Sequence, residues 1–421
     1  MSTSKPLPPP AADDYDPNSL TVEQALARID AALVPITGSE QLALRSALDR
    51  VLDQDILSPM SVPPYTNSAM DGYAVRSADL PREAEHVFRL IGTAFAGQPY
   101  GGTVGKGECV RIMTGAVIPA GADTVIMQEH VERSGESVRV GQGHQPRQNV
   151  RAAGEDVAVG QVVLRQGRQL TPSDLGMLAS LGIGEVRVRR RLRVAFFSTG
   201  DELRAVGQPL EDGQIYDSNR YTLYGMLTRL GVEVLDLGVV RDQLADISKA
   251  FGDAAAIADA VITSGGVSVG DADYVKETLE RLGRVDFWKI AMKPGRPLAF
   301  GHLGAAVFFG LPGNPVSVMA TFYEFVLPAL RRLMGQTDTR PLSLQVPCAT
   351  GLKKRPGRAE FQRGILDRDA NGRLVVRSTG AQDSHILSSM SQANCFIVLD
   401  SACGDVAPGT LVEVQPFAAL V

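Results

Sequence analysis

Apolar positions change their period twice along the chain, and each change marks a different kind of structure. Between residues 20 and 33, Val22, Ala25, Leu26, Ile29 and Leu33 recur on one helix face, and Thr21 with Gln24 makes a capping-box pair ahead of them. Residues 59–150 lose that period. They are rich in glycine and in short β-type runs such as Glu108–Met113 and Thr124–Met127, which predicts a β-rich module. The helical period returns at Thr171–Gly182, where Thr171 can cap, Pro172 suits the first helical position and Gly182 can end the helix. This helix is expected to return and pack on the one near residue 21. Residues 19–58 and 151–190 would then form one discontinuous domain with 59–150 inserted, behind a lead-in at 1–18 whose proline and small polar residues predict disorder.

From Arg193 the pattern alternates. Strands are predicted at 194–197, 232–240, 260–263 and 305–309, with helices at 219–230, 244–258, 272–282 and a long one at 315–334. Such alternation predicts a doubly wound, mostly parallel sheet over 191–335. Ligands of such sheets gather beyond the carboxyl ends of the strands. After Gly335 the chain turns β-like again, with turns at Lys354-Arg-Pro-Gly and Ala370-Asn-Gly, which predicts a C-terminal β domain, barrel-like or a sandwich, in 336–421. The fold class is α/β multidomain.

Composition narrows the function classes. A chain of 421 residues is long for one domain, and 44% hydrophobic with 21% charged residues is ordinary globular material. A net charge of −5 without a basic stripe argues against nucleic-acid binding, and Arg187–Arg193 reads as an exposed strand or domain edge. No run reaches the ~18 apolar residues of a membrane span, and the N-terminus lacks the apolar core of a signal peptide. Cys109, Cys348, Cys395 and Cys403 form no C-x-x-C pair, which fits a reducing cytoplasm better than a disulfide framework. The scattered histidines lack the helical spacing of a zinc site, and no Ser–His or Cys–His arrangement suggests a nucleophile.

The chemistry concentrates at predicted strand ends. Asp201 and Glu202 follow a glycine turn, Asp242 follows Val239-Val-Arg, and Asp271 and Asp273 follow Thr263-Ser-Gly-Gly-Val-Ser-Val-Gly. A single loop acid is more often a turn or cap residue, but several at one sheet edge are costly unless they meet a cation or a donor-rich ligand. Magnesium, with its preference for carboxylate, water and phosphate oxygens, fits. The Gly-Gly turn taken alone is more often a tight connection, and it is neither a Walker A loop nor a dinucleotide fingerprint. Lys293 stands in Met-Lys-Pro-Gly-Arg-Pro, where an exposed loop lysine is the ordinary case. In Gly310-Leu-Pro-Gly-Asn-Pro-Val-Ser, Asn314 can cap, Pro315 fits the first turn and Ser317 follows, so the helix start suits an oxyanion as well as a plain capped helix.

Together these strings resemble the molybdopterin molybdotransferases, including the C-terminal domain of gephyrin. The resemblance is carried by Pro64-Tyr-Thr-Asn-Ser-Ala-Met-Asp-Gly-Tyr-Ala-Val, Arg111-Ile-Met-Thr-Gly-Ala, Gly154-Glu-Asp, Thr199-Gly-Asp-Glu-Leu, Gly265-Gly-Val-Ser-Val-Gly-Asp-Ala-Asp-Tyr and the Lys293 and Asn314 strings. It continues through Gly357-Arg-Ala-Glu-Phe-Gln-Arg-Gly and Ser384-His-Ile-Leu-Ser-Ser-Met, and it spans residues 64–390 in the family's order. The resemblance implies a homodimer that joins adenylylated molybdopterin and molybdate into molybdenum cofactor, releasing AMP with Mg2+. It implies Lys293, Pro294, Ser317, Arg363 and Ser384 on the molybdate side, and Asp242, Asp271 and Asp273 as metal candidates. Glu202 is implied beside magnesium and AMP, and Asp71, Thr114, Asp156 and Lys289 complete the catalytic set. A partnership with the molybdopterin adenylyltransferase is a further expectation. The rival readings are a molybdopterin adenylyltransferase, which shares the doubly wound domain, and a non-catalytic scaffold on the same fold.

Overall fold

A computed structural model describes residues 18–265 and 274–419. The chain divides into two compact units, Gln41–Val188 and the remainder.

In the Gln41–Val188 unit, a six-stranded sheet runs in the order Thr124–Met127, Gly72–Val75, Glu108–Ile112, His86–Ala94, Ser137–Val140, Val131–Ser134. Its strands alternate between two buried clusters. Tyr73, Phe88, Cys109, Ile126 and Val138 fill one, and Ala74, Ala94, Val110, Ile112 and Val125 fill the other. Apart from this sheet, Ile56–Leu57 pairs antiparallel with Val162–Leu164, and Leu52, Ile56, Leu164, Leu170, Leu178 and Val188 share a core. Segments that flank the inserted sheet in sequence therefore meet each other in one core. Helix α2 in this unit is Pro172–Ser180, entered through a reciprocal Thr171–Asp174 capping box.

Helix α1, Val22–Ala32, opens with the Thr21–Gln24 box and buries Val22, Ala25 and Ile29. It belongs to the other unit, where it packs on Phe322–Val326 and Leu327–Leu333. That corrects the expected pairing of α1 with α2. An apolar stripe drives a helix onto a core but does not name the core.

The second unit holds the doubly wound sheet. Its strands are β1 Arg193–Thr199, β2 Glu233–Val240, β3 Ala260–Ser264, β4 Gly283–Lys289, β5 Pro297–Leu303 and β6 Ala306–Leu311, in the spatial order β2-β1-β3-β6-β5-β4. The first four in that order are parallel, and β5 and β4 add antiparallel at one edge. Both faces are covered, which is why the strands read as unbroken apolar runs. Ala195, Phe197, Val261 and Phe308 pack with Ile247, Phe251, Val275 and Leu279 of helices α4 (Leu244–Ile257) and α5 (Tyr274–Leu282). Helix α3, Ser218–Leu230, packs against β1, β2 and the helix that begins at Pro315.

The expected long helix at 315–334 runs as α6 (Pro315–Thr321), one π-helical stretch at Phe322–Val326, and α7 (Leu327–Leu333). Pro328 explains the change. It has no N–H to give, and its ring would collide with the Glu324 carbonyl in a regular α-helix, so the helix widens ahead of it. Glu324 lies buried in that wide turn, and burial, with Glu413 nearby, pushes its carboxyl up to about 8.

The C-terminal β domain contains β7 (Leu344–Pro347), β8 (Ala359–Arg368), β9 (Leu374–Ser378), β10 (Cys395–Leu399) and β11 (Leu411–Pro416). The sheet runs β8-β10-β11-β7, β9 pairs with β8, and a Cys348–Val376 bridge brings the end of β7 back to β9, so the strands close into a small barrel. One further strand comes from outside the domain: Met292–Lys293 adds to β8, with Lys293 opposite Glu360.

Candidate active site

The parallel strands β1 and β2 deliver acids to one place. β1 ends at Thr199, and Gly200 (φ 148°) turns the chain so tightly that a Cβ there would lie 2.6 Å from the Glu202 carboxylate. Asp201 and Glu202 follow, both exposed. β2 ends at Val240, and two residues on, the Asp242 N–H donates to Asp201 Oδ1 at 3.2 Å. Partial burial, then the negative charges of Asp201 and Glu202, hold the Asp242 carboxyl above its ordinary range. The family resemblance implies Glu202 and Asp242 as site residues but not Asp201. The hydrogen bond makes Asp201 part of it. Asp271 and Asp273 lie outside the described residues.

The first turn of α3 closes over the same strand ends. Asp217 caps it by accepting the Arg220 N–H at 3.1 Å. Asn219 donates to Ser264 Oγ at the end of β3 (2.8 Å) and to the Gly313 carbonyl ahead of α6 (2.7 Å). Buried polar atoms remain without a hydrogen-bond partner among the described residues at Ser198 Oγ, Thr263 Oγ1, Asp217 Oδ2 and Asn219 Oδ1, all at the carboxyl end of the sheet or on α3's first turn. Such unmatched groups are rare in a settled core and mark a place where a ligand or water completes the bonding. Asp-Ser-Asn at 217–219, a polar run at a helix start, was the signal in the sequence.

A second group forms where α6 meets the barrel. Lys293 is exposed, and its ammonium makes no ion pair among the described residues. Pro294 is buried behind it, joined by a cis peptide. A Cβ at Gly295 (φ 97°) would lie 3.5 Å from the Ser317 carbonyl, so this turn packs against α6. Ser317 is buried, and the Val316 N–H donates to the Ser384 carbonyl at 3.2 Å. Asn314 stands at the N-cap but makes no side-chain capping bond. One helix-start N–H is therefore already taken by Ser384, and the expected capping by Asn314 is corrected.

Arg363 departs further from expectation. It is 1% exposed. Its Nε donates to Ser389 Oγ, Nη1 to the Gln382 carbonyl, and Nη2 to the carbonyls of Ala381 and Asp383. That leaves one guanidinium hydrogen, on Nη1, so the open donor fork expected for an oxyanion is absent. Arg363 instead ties down the 381–383 loop that presents Ser384. Burial lowers its pKa to about 10, which leaves it charged at neutral pH.

In the other unit, Asp71 and Thr114 come together. Asp71 Oδ1 accepts the Thr114 N–H at 2.7 Å and its hydroxyl at 2.8 Å, and these bonds hold the carboxyl below its ordinary range. Asp156 is exposed, with its N–H bonded to the Val62 carbonyl. Lys289 ends β4, exposed, with its carbonyl accepting the Leu20 N–H.

A multidomain α/β protein is what this arrangement defines, with carboxylates clustered at one sheet end and an exposed lysine on a turn packed against α6. The sequence matches three family descriptions in succession: "MoeA N-terminal region (domain I and II)" over 20–182, "Probable molybdopterin binding domain" over 195–332 and "MoeA C-terminal region (domain IV)" over 345–417. It is 48% identical to a molybdopterin molybdenumtransferase of Haemophilus influenzae, covering 94% of this chain and 98% of that protein. It is also 34% identical to gephyrin of Dictyostelium discoideum, over 89% of this chain and 59% of that one. The crystal structure of the molybdopterin biosynthesis moeA protein from Pyrococcus horikoshii superposes with a TM-score of 0.83 at 30% identity, covering 95% of this chain and all of that one. The chain belongs to the molybdopterin molybdenumtransferase family. It is a transferase of molybdenum cofactor biosynthesis that acts on a molybdopterin-type substrate. No helix among its described residues is long and apolar enough to cross a membrane.

Proposed function

We propose that the enzyme combines adenylylated molybdopterin with molybdate, releases AMP and leaves molybdenum cofactor, using magnesium. The observation that carries this reading is the convergence of Asp201, Glu202 and Asp242 without a cationic side chain among the described residues to balance them. Asp242, with Asp201 and Glu202, and Asp271 and Asp273 by family resemblance, would hold the metal. Bound magnesium would offset charge on the phosphoanhydride as it opens. Lys293, Ser317 and Ser384 position the tetrahedral oxyanion, Lys293 through its charge and the serines through their hydroxyls. Pro294 shapes the turn that carries Lys293. Arg363 contributes by holding the Ser384 loop and through one remaining N–H. Lys289 and Glu202 act at the nucleotide side of the cleft. Reaction proceeds by direct attack of a positioned oxygen, with no covalent enzyme intermediate.

The working assembly in this reading is a cytoplasmic homodimer in which Asp71, Thr114 and Asp156 of one chain serve the site of the other, with the molybdopterin adenylyltransferase as the partner that supplies substrate. The test supplies adenylylated molybdopterin, molybdate and magnesium, and follows AMP release together with activation of an apo-molybdoenzyme. AMP release indifferent to molybdate would sink the reaction. Mixed dimers of Asp71→Ala and Lys293→Ala chains should recover part of the activity, and no recovery in verified mixed dimers rules out the shared site.

A further inference from the structure

We infer that Arg220 and Asp236 form a clamp that sets the direction of Asp242, making them positioning residues for the carboxylate cluster. The inference rests on the magnesium reading above and concerns how this chain builds that site.

The argument starts from register. β1 and β2 pair in parallel from Arg193 with Glu233 to Phe196 with Asp236, and resume at Ser198 with Val239. Between these two pairs β1 advances by two residues and β2 by three. The extra residue is a β-bulge, and Gly238 carries it at φ 82°, in the left-handed region that glycine tolerates. A slip of one residue exchanges the faces to which all later side chains of a strand point. The bulge therefore decides on which side of the strand end Asp242 emerges, four residues after Gly238.

A bulge loosens the ladder and leaves an amide to be satisfied. Asp236 supplies the acceptor: its Oδ1 takes the Gly238 N–H at 3.0 Å. Arg220 fixes that carboxylate, with Nε at 2.8 Å from Oδ1 and 2.9 Å from Oδ2. Arg220 is itself held in the first turn of α3 by the Asp217 cap, one residue from Asn219, which ties β3 and the loop before α6. The pair lies half-buried on the sheet edge and touches none of the three clustered acids through a hydrogen bond. Its effect on them passes through the backbone of 237–242. Bulges that re-aim a side chain beside an active site work in this way.

The experiment measures binding of Mn2+, an oxygen-preferring stand-in for magnesium, to the full chain by electron paramagnetic resonance of the free ion. Arg220→Ala and Asp236→Ala should each weaken Mn2+ binding by about tenfold, as outer-shell changes do. The double variant should weaken it no further than either single one, because one clamp is removed in every case. In turnover the loss should appear as a higher magnesium requirement with kcat at saturating magnesium largely kept. Should the alanine variants not fold, Asp236→Asn keeps the shape and removes the charge, and it should weaken binding in the same direction. Wild-type Mn2+ affinity in these variants, with binding lost in Asp242→Asn, overturns the clamp and leaves the magnesium site standing. Unchanged affinity in Asp242→Asn as well would overturn the magnesium reading and the clamp with it.

Discussion

The two ends of the parallel sheet treat aspartate in opposite ways. At the amino end, Asp259 precedes β3 and is gripped by Arg190, whose two terminal nitrogens lie 2.7 Å from its two oxygens, and by the Arg193 N–H at 2.8 Å. Burial works to raise its pKa, but these bonds prevail and hold the carboxyl below the ordinary range. At the carboxyl end, Asp242 sits with Asp201 and Glu202, and its carboxyl is held high by burial and like charge. The fold ties down charge at the amino end and leaves it unbalanced at the carboxyl end, where the proposed site lies. A perturbed carboxylate next to its own kind is a poor stabiliser and a good candidate for cation chemistry.

The largest effect should come from breaking the carboxyl end. Asp242→Asn is expected to cut magnesium-dependent turnover by roughly 100- to 1000-fold, the range seen when one charge-stabilising group is lost, without lowering the melting temperature measured free of magnesium. Steady-state AMP release and a thermal melt on one preparation decide it. A fall in melting temperature with unchanged magnesium dependence would make Asp242 structural.

The amino end should break in the reverse sense. Asp259→Ala removes a bidentate, charge-assisted pair worth about 2–3 kcal/mol, so melting should fall by about 5–10 °C, with kcat close to wild type at a temperature where both are folded. Because the folded pKa of Asp259 lies below 3.8, its contribution is present above pH 3.8 and is lost as pH falls through the folded value. The gap between wild type and variant should therefore close on acidification. A gap that persists at low pH would trace the loss to packing rather than charge.

The cations divide the same way. Arg190 is paired, whereas Lys293 has no ion pair among the described residues. Lys293→Ala should raise the molybdate concentration needed for turnover by about 10- to 100-fold, since a charge-assisted contact contributes roughly 1.5–3 kcal/mol. AMP binding, measured calorimetrically, should change little. Lost AMP binding with intact molybdate dependence would place Lys293 at the nucleotide instead.

How much of this could be read beforehand follows from what each signal measures. β1, β3 and β6 were legible because strands buried on both faces are continuous apolar runs, and α1 and α2 because their caps are local chemistry. The partner of α1 was not legible, since its stripe fits any apolar surface. The π stretch was signalled only by Pro328, inside an otherwise regular helical pattern. Asp259 carries no signal in the sequence because its partners lie in the Arg187–Arg193 run, which reads as exposed edge until the fold brings residue 259 beside it. Arg363 stands out in the sequence as a guanidinium, but the carbonyls of 381–383 that occupy it come near only in the fold. Asp201 and Asp242 are 41 positions apart, and nothing but parallel pairing of β1 and β2 makes them neighbours.

The smallest effect sharpens the comparison most, because it reverses sign with a ligand. A carboxyl whose folded pKa is raised contributes stability that is fully present below its unfolded value and is lost as pH rises through the folded value. For Asp242 the unfolded reference is 3.8 and the folded value lies above it. At pH 7 the wild-type chain therefore carries a small penalty that Asp242→Asn should lift, raising the melting temperature by about 1–2 °C, whereas near pH 3 the two should melt together. Magnesium should undo the advantage. A cation that binds the folded cluster and not the unfolded chain stabilises wild type by mass action, and the variant, with a weakened site, gains less. The order of the two melting temperatures should thus reverse as magnesium is added at pH 7. Asp259→Ala, at the other end of the sheet, should show no such reversal, because its lost stability does not depend on the cation. If Asp242→Asn melts below wild type without magnesium at pH 7, the like-charge account of this sheet end is wrong.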